Sequence, residues 1–228
     1  MAIYLDSAKL DEARQAKEFG WVYGVTTNPS LMAKAGGEPE AVLRGLADLD
    51  FRQVFYQLVS NDLDDMLSEA RKAAEIVKTG LICKIPPTDT GFRFVARHGS
   101  EVPCCVTAIF DPAQALVARE AGAKYIAVYV NRANKQLGDG LGLVKDVAKV
   151  LAGSHTEILA ASLKSNREAV DALVAGAHHI TVPFDLLMNL PINPLSIRTV
   201  EQFNAEGMGI RLNSKGEKRN GRCIEKTL

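Results

Sequence analysis

The chain alternates short apolar runs, rich in β-branched and aromatic residues, with longer amphipathic stretches. Such runs are typical of strands, and apolar residues spaced three and four apart, as in Leu63 to Val77 and Pro112 to Ala121, are typical of helices. The predicted strands are Ile3 to Leu5, Trp21 to Val25, Gln53 to Leu58, Leu81 to Ile85, Pro103 to Thr107, Tyr125 to Tyr129, Glu157 to Ala161 and Ile180 to Val182. Repeated strand–helix units form parallel sheets. Eight of them predict the α/β class and closure into a parallel, eight-stranded (β/α)8 TIM barrel.

An open, doubly wound parallel sheet is the alternative architecture. Its dinucleotide-binding form needs a glycine-rich turn after the first strand, and this chain has none there. The glycine-rich segment Gly138-Asp139-Gly140-Leu141-Gly142 comes much later, after a long loop. We interpret it as the entry to a helix and not as a phosphate cradle.

Length and composition predict one catalytic domain. A chain of 228 residues that is 47% hydrophobic can bury one full core. We assign residues 1–206 to the barrel and 207–228 to a polar, basic C-terminal tail. Lys plus Arg and Asp plus Glu each number 27, so no overall field favours nucleic acid or an anionic membrane. With neither a basic leader nor a long apolar span, we expect a cytoplasmic protein with a small-molecule partner.

The sequence offers no recognisable metal site. The cysteines and histidines show neither CxxC nor zinc-ligand spacing, and they are Cys83, Cys104, Cys105, Cys223, His98, His155, His178 and His179. The first three cysteines lie in apolar, strand-like runs and are interpreted as small core residues. We therefore expect the protein to need neither a metal nor another cofactor.

Lys84 stands out because it interrupts an apolar, strand-like run, Leu81-Ile82-Cys83-Lys84-Ile85-Pro86. An ammonium in water-poor surroundings loses part of the solvation that keeps it charged, so some free amine is expected near neutral pH. A free amine attacks carbonyl carbon, and a barrel presents such groups at the carboxyl ends of its strands. The alternative is a lysine paired with a carboxylate at a strand end.

Polar residues also follow the other predicted strands where each one ends. They are Asp6, Thr26, Asn28, Gln57, Thr107, Tyr129, Ser162 and Lys164. Some have simple explanations, since Asp6, Asn28 and Ser162 are each suited to cap the helix that follows. Convergence of the whole set on one barrel mouth nevertheless predicts a site, because a packed barrel gains nothing from a ring of unsatisfied polar groups.

Several of these residues belong to a larger pattern. The segment Gly24-Val25-Thr26-Thr27-Asn28-Pro29-Ser30 resembles the signature of the transaldolase family. Further motifs of that family are matched in the same order along this chain, namely Asp6, Lys84-Ile85-Pro86, Thr107, Tyr129-Val130-Asn131-Arg132 and Leu159-Ala160-Ala161-Ser162. In length and motif variants the chain is similar to the small members, particularly the bacterial fructose-6-phosphate aldolases. The resemblance implies a Schiff-base barrel whose lysine, here Lys84, is on the fourth strand.

The resemblance also implies roles. Lys84 would form an iminium with the C2 ketone of a ketose phosphate, and Asp6 would take the proton of the C4 hydroxyl. Thr107 would hold a water that shuttles protons, while Asn28, with Thr26 nearby, would bind hydroxyls of the dihydroxyacetone unit. Arg132, Ser162 and Lys164 would bind the phosphate; Lys164 lies in a more polar run than Lys84, so it is the weaker candidate nucleophile.

Two positions bear on the subclass. Transaldolases proper carry glutamate and phenylalanine where this chain has Gln57 and Tyr129, and the fructose-6-phosphate aldolases resemble this chain at both. A tyrosine hydroxyl supplies a hydrogen bond to the water and a proton for the enamine. We therefore expect cleavage of fructose 6-phosphate to dihydroxyacetone and glyceraldehyde 3-phosphate. The alternative is a transaldolase that transfers the dihydroxyacetone unit, and a non-catalytic sugar-phosphate-binding barrel is less favoured.

The resemblance extends to assembly. Small members of the family are typically ring-shaped homo-oligomers in which the C-terminal segment reaches a neighbouring subunit. We expect a pentamer or decamer, with the tail of residues 207–228 in that role.

Overall fold

The computed structural model describes residues 1–210 and contains a closed barrel of eight parallel strands in sequential order. The strands are β1 (Ala2–Asp6), β2 (Gly24–Thr26), β3 (Gln53–Gln57), β4 (Leu81–Ile85), β5 (Cys104–Ile109), β6 (Tyr125–Tyr129), β7 (Glu157–Ala161) and β8 (His179–Val182). Each strand pairs with the next, and β8 closes the barrel against β1. The predicted (β/α)8 architecture is therefore confirmed, and the doubly wound alternative is wrong.

Helices follow the strands and surround the barrel. Within Met1–Leu190 they are α1 (Leu10–Glu18), α2 (Pro29–Ala35), α3 (Pro39–Ala47), α4 (Leu63–Val77), α5 (Asp89–His98), α6 (Pro112–Glu120), α7 (Val130–Leu137), α8 (Gly140–Val150), α9 (Asn166–Val174) and α10 (Phe184–Asn189). Short polar side chains cap several of them: Asp62 accepts from the Asp65 N–H and Thr88 from the Gly91 N–H. No helix in residues 1–210 is long and apolar enough to cross a membrane.

Strand β2 begins three residues later than the sequence predicts, and β5 begins one residue later. Strand β2 begins at Gly24, where it pairs with β1 and β3, and not at Trp21. The indole of Trp21 instead stacks on Phe19, with ring centroids 5.3 Å apart, and stays 42% exposed. A side chain at position 24 would clash with the Gln53 carbonyl oxygen, so the close approach of the strands requires this glycine.

The glycine-rich segment opens helix α8, as predicted, but it follows helix α7 directly, so the predicted long loop before it is wrong. Gly138 ends α7 in the left-handed conformation with φ 85°, and Asp139 caps α8 by accepting a 2.7 Å hydrogen bond from the Gly142 N–H. Gly140 lies against the Val130 carbonyl, where a β-carbon would clash. The glycines therefore serve a close contact between two helices.

The barrel interior is filled at its amino-terminal end. Its buried cluster consists of Ala2, Tyr4, Phe55, Ile82, Cys105, Tyr125, Ala127 and Leu159. A second, larger core lies between the sheet and the helices and includes Cys83 and Cys104. The prediction that these three cysteines are core residues is confirmed, and burial raises the pKa of the Cys83 thiol to about 12.

The chain divides after Leu190 into two units. The second unit contains α11 (Pro194–Glu206), in which no residue is buried. Its large apolar side chains Leu195, Ile197, Val200 and Phe203 are all exposed. The boundary assigned at residue 206 stays a prediction, and most of the predicted tail, residues 211–228, lies outside the described part of the chain.

Candidate active site

A cavity of about 530 Å³ lies at the carboxyl ends of the barrel strands. The structure brings all ten site residues predicted from the sequence to its wall: Asp6, Thr26, Asn28, Gln57, Lys84, Thr107, Tyr129, Arg132, Ser162 and Lys164. Residues that the sequence did not single out also line it, among them Lys34, Ala108 and Thr181. The filled interior below makes this mouth the open end of the barrel.

Lys84 is on the fourth strand, and only 4% of it is exposed. Its Nζ donates a 2.7 Å hydrogen bond to the carbonyl oxygen of Thr27. The Thr27 hydroxyl donates in turn to the Phe55 carbonyl at 2.8 Å, which holds this backbone in place. Within residues 1–210 the ion pairs do not include Lys84. The alternative of a lysine held by a carboxylate at a strand end is therefore wrong.

Asp6 ends β1 opposite Thr26 of β2. The Thr26 hydroxyl donates a 2.8 Å hydrogen bond to Asp6 Oδ1, and Thr181 Oγ1 lies 2.6 Å from Thr26 Oγ1. Burial raises the pKa of Asp6, while the Lys84 ammonium and the bond from Thr26 act in the opposite direction. Asp6 does not cap α1, whose N-cap is Lys9, so that simple explanation is wrong.

Thr107 and Tyr129 meet across the neighbouring strands β5 and β6. Their hydroxyl oxygens are 3.1 Å apart, so together they can hold a water or a substrate hydroxyl. The register of β5 shifts between Val106 and Ile109, and Ala108 within this bulge has φ 56°. A bulge bends its strand and re-aims a side chain, which accounts for the position of Thr107.

Asn28 caps the helix that follows it and also lines the cavity. Its Oδ1 caps α2 by accepting a 3.0 Å hydrogen bond from the Leu31 N–H, and Pro29 occupies the first helical turn. The cap occupies the side-chain oxygen and leaves the Nδ2 hydrogens as donors at the cavity wall. Gln57, at the end of β3, is opposite Lys84 in the sheet register.

Arg132 and Lys164 supply positive charge at one side of the cavity. The Arg132 guanidinium lies 4.9 Å from the Tyr129 ring centroid, a cation–π contact that orients it. Ser162 has φ 61° and does not cap α9, because Ser165 does so by accepting from the Glu168 N–H. The capping explanation for Ser162 is therefore wrong.

Glu168 joins the two elements that carry these cations. Its Oε1 accepts from Asn131 Nδ2 at 2.8 Å, and its Oε2 accepts from the Lys164 backbone N–H at 2.7 Å. Ser165 and Glu168 have the spacing of a capping box, which is a sequence signal for the N-terminus of α9. The link to Asn131 had no signal, because the two residues lie 37 positions apart on α7 and α9 and only the fold brings them together.

The charge of the cavity favours an anionic ligand. Its charged residues are Lys34, Lys84, Arg132, Lys164 and, alone in its sign, Asp6. Such an excess of cations suits a phosphate or similar oxyanion. Within the described residues, no group of three or more His, Cys, Asp or Glu side chains is placed to hold a metal ion.

Comparison with known proteins agrees with this geometry. Residues 3–219 match the family described as transaldolase/fructose-6-phosphate aldolase. The chain belongs to this family. Proteins named "Probable transaldolase" are 36% identical in Symbiobacterium thermophilum and 34% identical in Clostridium acetobutylicum. Each match spans 206 residues, 89% of this chain and 95% of the relative. The chain is thus an enzyme of the aldolase and transaldolase class.

Solved structures support the fold alone. A mandelate oxidase is 17% identical with a TM-score of 0.60, over 90% of this chain and 71% of that one. A lactate oxidase from Pediococcus acidilactici is 14% identical with a TM-score of 0.60, over 90% of this chain and 69% of that one. At such identities the likeness is one of barrel architecture.

Proposed function

We propose that the protein is a Schiff-base-forming aldolase that cleaves fructose 6-phosphate to dihydroxyacetone and glyceraldehyde 3-phosphate, and catalyses the reverse addition. The observation that carries the proposal is a buried amine, Lys84, which is bonded to the Thr27 carbonyl, forms no ion pair within residues 1–210, and shares one cavity with the Thr107–Tyr129 hydroxyl pair. Membership of the transaldolase/fructose-6-phosphate aldolase family supports the reaction class.

The reaction begins with attack of the free Lys84 amine on the C2 ketone. The resulting carbinolamine loses water to form an iminium, and a water held by Thr107 and Tyr129 carries the protons. The Thr27 carbonyl accepts a hydrogen bond from Nζ before the attack and so aims the amine into the cavity. Covalent attachment creates the electron sink that the ketone itself lacks.

Cleavage follows at the C3–C4 bond. Asp6, as the carboxylate, takes the proton of the C4 hydroxyl, the C4–O bond becomes a carbonyl, and the C3–C4 electron pair moves into the iminium. The product on Lys84 is an enamine, and glyceraldehyde 3-phosphate leaves. The raised pKa of Asp6 suits a base that must later return the proton.

Release of the second product requires a proton at C3. The Tyr129 hydroxyl, directly or through the water shared with Thr107, supplies it and converts the enamine back to an iminium. Water then hydrolyses the iminium, which frees dihydroxyacetone and restores the amine. Gln57 is opposite Lys84 in the register and is assigned to this water, while Asn28 and Thr26 are assigned to donor hydroxyls.

The phosphate is assigned to the cationic side of the mouth. Arg132 offers a planar pair of donors, and Lys164 and Ser162 add a charge and a hydroxyl. The partner is accordingly a small sugar phosphate.

A transaldolase is the second candidate, and the names of the relatives favour it. It would keep the enamine until an acceptor aldehyde arrives. Gln57 and Tyr129 in place of glutamate and phenylalanine favour the lyase, because a proton donor beside the enamine permits release without an acceptor.

One assay separates the candidates. Formation of glyceraldehyde 3-phosphate from fructose 6-phosphate is followed with and without erythrose 4-phosphate. Release without the acceptor supports the aldolase, and release only with it makes the protein a transaldolase. A protein silent in both, and without added mass after borohydride reduction with substrate, would be a binding barrel.

Lys84→Met is the matched variant for that assay. We expect turnover to fall by roughly 10⁴-fold or more, as for removal of other covalent nucleophiles, and borohydride trapping to disappear. A variant that kept its turnover would contradict the Schiff-base mechanism. Lys164→Met, which retains Lys84, should still be trapped.

We also propose a cytoplasmic homo-oligomer, a pentamer or decamer, with residues 1–206 as its catalytic unit. Support comes from α11, whose apolar side chains are exposed within its own unit. Sedimentation of the full chain tests the assembly, and a monomer would refute it.

A further inference from the structure

Three hydroxyl and carboxyl groups form a line at the cavity wall, from β8 through β2 to β1. Thr181 Oγ1 lies 2.6 Å from Thr26 Oγ1, which lies 2.8 Å from Asp6 Oδ1. Thr181 is 3% exposed and Thr26 is 1% exposed, so bulk water competes little for these hydrogen bonds. Thr181 lines the cavity, and the sequence had not singled it out.

The number of hydrogens settles the direction of the line. When Asp6 is the carboxylate it has no hydrogen to offer, so the single hydrogen of the Thr26 hydroxyl is donated to it. The 2.6 Å contact between the two threonines must then use the hydrogen of Thr181. Thr181 thus donates to Thr26, which donates to Asp6.

We propose that Thr181 is a positioning residue for Asp6 that acts through the hydroxyl of Thr26. Its donated bond occupies a lone pair of Thr26, which turns the Thr26 hydrogen toward Oδ1 and strengthens that bond by polarisation. The carboxylate form of Asp6 is favoured as a result. The inference rests on the proposed function, in which this carboxylate accepts the C4 hydroxyl proton.

Other groups around Asp6 act independently of Thr181. Lys84 of β4 and Lys164, which follows β7, both favour the carboxylate electrostatically. A neighbouring cavity beside Asp6 is lined by the charged residues Lys9, Glu12, Lys34 and Asp185. None of these side chains belongs to the hydroxyl line, so a change at position 181 tests that line alone.

The test is a titration of the Asp6 carboxyl carbon by ¹³C NMR in the full-length protein, with Asp6→Asn used to assign the signal. In Thr181→Val, which keeps the shape and removes the donor, we expect the midpoint to rise by about 0.3 pH unit, as for loss of a cooperative bond. Thr181→Ser should restore the parent midpoint. The acid limb of kcat for fructose 6-phosphate should move in the same direction.

A double-mutant cycle shows whether Thr26 carries the effect. If it does, Thr181→Val should cause no further shift in a Thr26→Val background. An unchanged midpoint in Thr181→Val, or an equal shift in that background, would overturn the proposal. Thr181→Ala is the substitute if the valine variant does not fold. Because the titration needs no turnover, failure of the proposed reaction would be seen separately, as an inactive parent.

Discussion

The two ends of the barrel interior both contain polar residues, but they use them differently. At the amino-terminal end, the Tyr4 hydroxyl donates to Gln53 Oε1 at 2.6 Å, and Gln53 Nε2 donates to the Tyr125 hydroxyl at 3.1 Å. The rings of Tyr4 and Tyr125 both pack edge-on against His179. The two tyrosine hydroxyls and the Gln53 amide satisfy one another, and the packed rings close this end.

At the carboxyl end, the polar groups surround about 530 Å³ of open space. Within residues 1–210, the hydrogen bonds between two side chains of the cavity wall are those of the Thr181–Thr26–Asp6 line and the Thr107–Tyr129 pair, and both still face the cavity. A polar layer inside the barrel therefore stabilises the fold when its side chains form hydrogen bonds with each other. When they are left facing a cavity, they are available to a ligand at some cost to stability.

Asp6→Asn should give the largest effect and should separate activity from stability. We expect kcat to fall by about 10²–10⁴-fold, because the base is removed. The pKa of Asp6 is raised in the folded protein. The Asp6 carboxyl therefore contributes to stability at low pH, and this contribution is lost as the pH rises through the raised pKa. The neutral amide should therefore raise Tm at neutral pH, measured by thermal melts at pH 7. A lower Tm would contradict this account of the mouth.

Gln53 and Gln57 offer a matched comparison, because they are at opposite ends of β3. Gln53→Ala leaves two buried tyrosine hydroxyls without their partner and opens a cavity, so we expect a loss of about 2–4 kcal/mol of unfolding free energy. Its kcat should change little. Gln57→Ala should show the reverse, with lower kcat and nearly parental stability. Urea unfolding measures the stability of both variants, and the cleavage assay measures their kcat. Equal losses of stability would contradict the proposed difference between the two ends of the barrel.

Glu168→Ala should weaken phosphate binding through the elements that Glu168 joins. Without its bonds to Asn131 and the Lys164 backbone, we expect KM for fructose 6-phosphate to rise by about tenfold, the effect of one lost bond to a charged group. The value of kcat should change much less, and Glu168→Gln should recover part of the loss. Unphosphorylated fructose is the control substrate. An equal effect on both substrates would show general damage and not loss of phosphate binding.

His179 should give the smallest effect, at the closed end. Burial lowers the pKa of His179, against the opposing influence of Glu157, whose Oε2 is 3.2 Å from Nε2 without good hydrogen-bond alignment. The folded protein thus favours neutral imidazole, so this contribution to stability is present above about pH 6.5 and is lost as pH falls below it. Parent unfolding free energies between pH 5 and 7.5 should decline more steeply than those of His179→Phe. Parallel curves would contradict this assignment.

Much of the fold and the site could be predicted from local patterns. The helix Leu63–Val77 and the strands at Leu81, Tyr125 and Glu157 have the predicted bounds, because each is bordered by a clear change in hydrophobic pattern. The start of β2 was wrong, since local β propensity around Trp21 does not show which residues find a partner strand. Local patterns also left the helix caps undecided. Asn28 caps a helix as the sequence suggested, whereas Asp6 and Ser162 do not.

Local patterns in the sequence were enough to predict the alternation of strands and helices, the position of Lys84 in the fourth strand and the polar residues at the ends of the first seven strands. These features depend on neighbours close along the chain, where side-chain periodicity and propensity act. Three contacts appear only in the folded structure: Thr181 Oγ1 lies 2.6 Å from Thr26 Oγ1, Asn131 donates to Glu168, and Thr107 meets Tyr129 beside a bulge. Such contacts join residues far apart in the chain, and they are set by strand register and helix packing, which no local pattern encodes.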